Sequence, residues 1–110
     1  MNGKDKIILE KIIKYIDDAI DYTNNMDYNT FVDDSKTISA SAFVLGQIGE
    51  LANVVSDESI VANPQIQWKG MRGMRNRIVH DYENVDLNIL WDTIINDLPE
   101  LKTELTVIVS

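Results

Sequence analysis

Residues 73–82 read GMRNRIVHDY and hold the chain's only histidine, His80, two of its three arginines, Arg75 and Arg77, and Tyr82 two places beyond the histidine. Arg72 and Lys69 precede them, and no acid occurs in residues 59–80, although the chain carries a net charge of −8. On an α-helix Arg72, Asn76 and His80, spaced by four, share one stripe, and the long side chain of Arg75 can swing toward it. These groups suit phosphate chemistry. A guanidinium holds a phosphate through two parallel hydrogen bonds and stays charged at any working pH. Imidazole titrates near neutrality and can move protons. With RNA, the set could activate a 2′-hydroxyl and stabilise a pentacovalent phosphorus without a metal.

Cleavage needs a base for the attacking hydroxyl and an acid for the leaving one, and each chain has one histidine. A two-fold dimer with this stripe at its interface would bring two histidines and two arginines to one cleft. No metal is expected: there is no second histidine and no cysteine, and Asp81 and Glu83 lie off the His80 stripe.

The same residues also have plainer readings. A lone histidine near a helix end often serves as a C-terminal charge, and Arg77 can pair with Asp81 one turn on. Tyr82 reads as a half-buried packing residue, and Trp68, Trp91 and the methionines read as core. Glu50, in the run GQIGE, is either a surface charge or a partner for an arginine.

A chain of 110 residues is expected to form one domain, 1–110, able to bury a core without staples. The 45% hydrophobic and 25% charged fractions are those of a soluble globular protein. With no cysteine, disulfides are excluded, and a cytoplasmic location is the expectation. No apolar run approaches the roughly 20 residues that span a bilayer, and the charge-threaded N-terminus is not a signal peptide. The acidic balance argues against general binding of polyanions, but the local basic patch could admit one anionic group.

The elements that must position these residues read as helices throughout. Residues 4–23 carry Ile8, Leu9, Ile12, Ile13, Tyr15, Ile16, Ala19 and Ile20 at spacings of three and four. The Asn- and Asp-rich segment 22–30 reads as a break. A second helix over 35–56 starts from Ser35 as cap and buries Ile38, Ala42, Leu45, Ile48, Ala52 and Val55. Gly46 and Gly49 lie inside it, each about 1 kcal/mol worse than Ala, which predicts close approach of another helix. Residues 57–66 form a connection with a helical turn, closed by Pro64. A third helix is predicted from about Gln67 to Tyr82. A fourth starts at Asp86 as N-cap and carries Leu87, Leu90, Trp91, Ile94, Leu98, Leu101 and Leu105, with a kink at Pro99. The terminal VIVS is the one stretch with strand character. An all-α bundle follows.

Residues Arg75–Tyr82 also fit the Arg-x4-His-x-Tyr motif of HepT-like proteins, a branch of the HEPN superfamily. The resemblance covers nearly the whole chain: the IGE of 48–50, Trp68, the entry Gly73-Met74-Arg75-Asn76, the VHDY of 79–82, the step Val85-Asp86 and the NDLPEL of 96–101. One departure is Gln67, where such proteins often have proline before the tryptophan. The resemblance implies an antiparallel HEPN-type bundle of four to five helices. It also implies the homodimeric toxin of a toxin–antitoxin pair, a metal-independent ribonuclease acting on tRNA or mRNA, with no cofactor and no membrane. Carried over, Arg75 and His80 are catalytic and Asn76 is the accompanying polar residue. Arg72, Arg77 and Lys69 would support RNA binding. Tyr82 matches the tyrosine that a minimal nucleotidyltransferase antitoxin modifies with AMP. The alternative is a non-catalytic nucleotide- or partner-binding module of a nucleotidyltransferase complex.

Overall fold

The computed structural model describes residues 1–76 and 86–110. Among them every regular element is helical: α1 (Gly3–Tyr22), α2 (Tyr28–Val32), α3 (Ser35–Asn53), α4 (Asp57–Ala62), α5 (Trp68–Gly73), α6 (Leu87–Asp92), a π-helical segment (Thr93–Asp97) and α7 (Leu98–Val109). The all-α expectation is met. The predicted strand character of the terminal VIVS is not, because α7 runs to Val109 and packs on α1. Burying Leu98, Leu101 and Leu105 on one face of a helix outweighs the local preference of β-branched residues for strand.

Short polar side chains start most helices by accepting a hydrogen bond from an otherwise orphaned amide. Asn2, Asp27, Asp34, Ser56 and Asp86 all do so. Asp86 is thus the cap its sequence position predicts. Ser35 is not: Asp34 accepts from the Thr37 amide at 3.0 Å, and Ser35 is the first helical residue. Asp is at least as good an N-cap as Ser, so the cap moves one place. The break after α1 is shorter than 22–30. Asn25 adopts φ 64°, a left-handed conformation that asparagine tolerates, and α2 then fills residues 28–32.

The core follows the predicted stripes. Leu9, Ile12, Ile16 and Ala19 of α1, Ala42, Leu45, Ile48 and Ala52 of α3, and Leu90, Ile94, Leu98 and Leu105 of the last helices are buried together. Phe31 of α2 is fully buried and stacks against Trp91 with ring centroids 5.0 Å apart. Pro99 leaves its mark just upstream of itself. Proline has no amide hydrogen, and its ring clashes with the carbonyl four residues back. Here the interruption takes the form of the five-residue π segment that ends at Asp97, with the proline in the first turn of α7. Among the described residues, no helix is long and apolar enough to cross a membrane.

The predicted helix from Gln67 to Tyr82 is shorter at its start and within the described residues. It begins at Trp68 and ends at Gly73, after which Met74 and Asn76 donate to carbonyls three residues back, Met71 and Gly73. Gly70 and Gly73 weaken the helix from within, and the i→i+3 bonds tighten the chain into turns. The stretch that would carry the stripe to Arg77, His80 and Tyr82 lies outside the described residues.

Candidate functional site

The described part of the basic segment sits against the C-terminal half of α3. Trp68, Met71 and Met74 face the core as expected, and the Trp68 indole N–H donates to the Asn63 carbonyl at 2.8 Å. This leaves Lys69, Arg75 and Asn76 exposed and Arg72 half-buried.

Gly49 explains how the segment comes so close. A Cβ at that position would lie 2.8 Å from the Arg75 amide nitrogen, 2.9 Å from the Arg75 Cβ and 3.2 Å from the Arg72 carbonyl oxygen. Backbone atoms cannot yield at such distances, so only glycine fits. The expectation of close approach is met at Gly49; at Gly46 an added Cβ would meet nothing within 4 Å among the described residues.

Two arginines are then held by α3. Arg72 donates its Nε–H to the Ala52 carbonyl at 3.3 Å. That carbonyl belongs to the last turn of α3, where helix carbonyls lack intrahelical partners and carry partial negative charge. Arg75 places its Nε 2.9 Å from Glu50 Oε1. Of the two readings of Glu50, the structure selects arginine partner. The two side chains are 48% and 50% exposed, so the pair contributes no more than about 1 kcal/mol to stability.

Arg72 and Arg75 are therefore brought to one edge of α3, while Lys69 and Asn76 show no side-chain hydrogen bond or ion pair to the described residues. His80, Arg77 and Tyr82 lie outside the described residues. A cavity of about 340 Å³ opens between α5 and α7, lined in part by Met71, Met74 and Leu101 with Asp97, Glu100 and Glu104. Its carboxylates repel phosphate and neither arginine lines it.

The fold is an all-α helical bundle, and comparison with known proteins gives the family. The model of the ribonuclease HepT-like family matches residues 12–108. The chain belongs to that family, as the motif-based resemblance implied. It is 35% identical over 94 residues to a Methanocaldococcus jannaschii protein provisionally named an RNase, spanning 86% of this chain and 78% of the other. A second such M. jannaschii protein is 30% identical over 103 residues, 94% of each chain. "Probable ribonuclease HepT" of Thermococcus cleftensis is 32% identical over 102 residues, 93% of each chain. No solved structure matches the chain.

Proposed function

We propose that the protein is a metal-independent ribonuclease, the toxin of a toxin–antitoxin pair, built as one HEPN/HepT-like domain over residues 1–110 and acting in the cytoplasm as a homodimer. The observation that carries this reading is the exposed guanidinium of Arg75, anchored on α3, at the head of Arg-x4-His-x-Tyr in a member of the ribonuclease HepT-like family. Arg75 and His80 of both protomers share one cleft. One imidazole removes the proton from a ribose 2′-hydroxyl, whose oxygen attacks the adjacent phosphorus. The 5′-oxygen leaves with a proton from the second imidazole, which gives a 2′,3′-cyclic phosphate end. Arg75 neutralises the charge that develops on the phosphoryl oxygens. Asn76 orients the imidazole or a ligand oxygen, and Lys69, Arg72 and Arg77 draw in the backbone of tRNA or mRNA. A minimal nucleotidyltransferase antitoxin transfers AMP from ATP to the Tyr82 hydroxyl, releasing pyrophosphate, and the added anionic bulk repels RNA.

The test is RNA cleavage by the unmodified dimer in chelator. Wild type is expected to cut, and His80→Ala and Arg75→Ala to lose about 10²- to 10⁴-fold in rate. Intact RNA with wild type, or cleavage that survives both substitutions, would leave a non-catalytic partner-binding module. Intact-mass measurement after co-expression with the nucleotidyltransferase, with Tyr82→Phe as control, reads the AMP transfer.

A further inference from the structure

We propose that Glu50 is a positioning residue for Arg75, setting the direction in which its guanidinium meets the phosphate. The inference rests on the reading of Arg75 as the phosphate-binding arginine.

Two successive residues of α3 hold Arg75 at two points. Gly49 leaves no space between α3 and the Arg75 backbone, since even a Cβ would come within 2.8 Å of its amide nitrogen. That contact fixes the Cα–Cβ direction of Arg75 relative to α3. The next residue, Glu50, reaches the Nε of the same arginine at 2.9 Å. The Arg72–Ala52 hydrogen bond, two residues further along α3, ties down the preceding turn of the segment.

A guanidinium can grip a phosphate through its Nε and one terminal nitrogen or through its two terminal nitrogens. Glu50 Oε1 lies 2.9 Å from the Nε, so the carboxylate occupies that side of the guanidinium and leaves the edge formed by the two terminal nitrogens to a ligand. Arginine otherwise loses considerable rotamer freedom on binding, and a side chain already held in place loses less. Alignment of this kind acts on the rate, because small misplacements of a charge-stabilising group weaken it most in the transition state. The pair is half-exposed, so water screens the carboxylate and leaves the guanidinium attractive to phosphate.

The experiment joins RNA cleavage by the unmodified dimer to the NMR signals of the guanidinium Nε–H groups. The chain has three arginines, so these signals can be assigned by substituting each in turn. Glu50→Ala is expected to shift the Arg75 Nε–H signal and speed its exchange while leaving that of Arg72 in place. It is expected to lower kcat about 10- to 100-fold with KM little changed. Glu50→Gln keeps a side chain of the same reach, with an oxygen beside the Nε, and recovers most of the rate. In an Arg75→Ala background, Glu50→Ala adds no further loss, because the two act as one unit.

A faster Glu50→Ala enzyme, or a change in KM alone, would make the carboxylate a competitor of the phosphate and overturn the proposal. So would an unmoved Arg75 signal, an unaffected kcat, or a Gln variant as slow as Ala. Wild type that leaves RNA intact overturns the reading of Arg75 and the positioning role with it. The Nε–H signals still report separately whether the pair forms.

Discussion

Two carboxylates meet the α3–α4 part of the chain from opposite circumstances. Asp5, in the first turn of α1, is 1% exposed. It accepts from the Ser56 amide at 3.2 Å, from the hydroxyls of Ser56 and Ser59, and from the Asn2 amide group. Glu50 is half-exposed and has one described partner, Arg75. The first arrangement satisfies a buried charge with donors from Asn2, Ser56 and Ser59, and so welds the start of α1 to the start of α4. The second leaves both ions in water, where an incoming anion can reach the guanidinium. Burial makes the first pairing structural, and exposure makes the second available for function.

The sharpest way to break this contrast is Asp5→Ala, which strips the acceptor from the buried Ser59 hydroxyl and the part-buried Ser56 donors and should cost about 2–3 kcal/mol. Urea unfolding would read it as a lower midpoint at unchanged slope. Acid provides a companion test. The Ser56 hydroxyl, then that of Ser59, holds the Asp5 carboxyl below its ordinary value of 3.8. A depressed folded-state pKa means the contribution is complete above about pH 4 and fades as pH falls through the folded value. The stability gap between wild type and Asp5→Asn should therefore narrow below about pH 4. Asp27 and Asp34, also lowered by capping bonds, are common to both proteins and cancel.

The next effect compares two glycines on one helix. Gly49→Ala forces backbone apart at the α3–α5 contact and should destabilise by about 1–3 kcal/mol. Gly46→Ala meets nothing within 4 Å among the described residues and should stabilise by up to about 1 kcal/mol from helix propensity. Equal outcomes in thermal or urea unfolding would show that the close approach is not what demands glycine. The smallest effect belongs to the second carboxylate: Glu50→Ala should change stability by no more than about 1 kcal/mol. A loss as large as that of Asp5→Ala would make Glu50 a structural residue and erase the contrast.

Much of the fold was legible because its determinants are local. The apolar stripes of α1, α3 and the last helices and the Asp86 cap depend on residues within a turn of one another. The errors fell where neighbouring candidates compete, as at Asp34 and Ser35, or where packing overrides propensity, as in the terminal VIVS. The candidate site was legible as composition: Lys69, Arg72, Arg75 and Asn76 stand out as a basic, amide-bearing segment. Its geometry was not: among the described residues the helix ends at Gly73, and Arg77, His80 and Tyr82 lie outside them.

The sequence alone determined an all-α chain, its principal apolar faces and a family motif, since periodicity, capping and motif spacing are properties of short stretches. Tertiary structure alone decided which glycine is required, which acid is buried and which arginine is paired. Each of those depends on a partner 20 or more residues away: Ser56 for Asp5, Arg75 for Gly49 and Glu50, and Ala52 for Arg72. Such partners are set by how helices pack, and one-dimensional spacing carries no record of that.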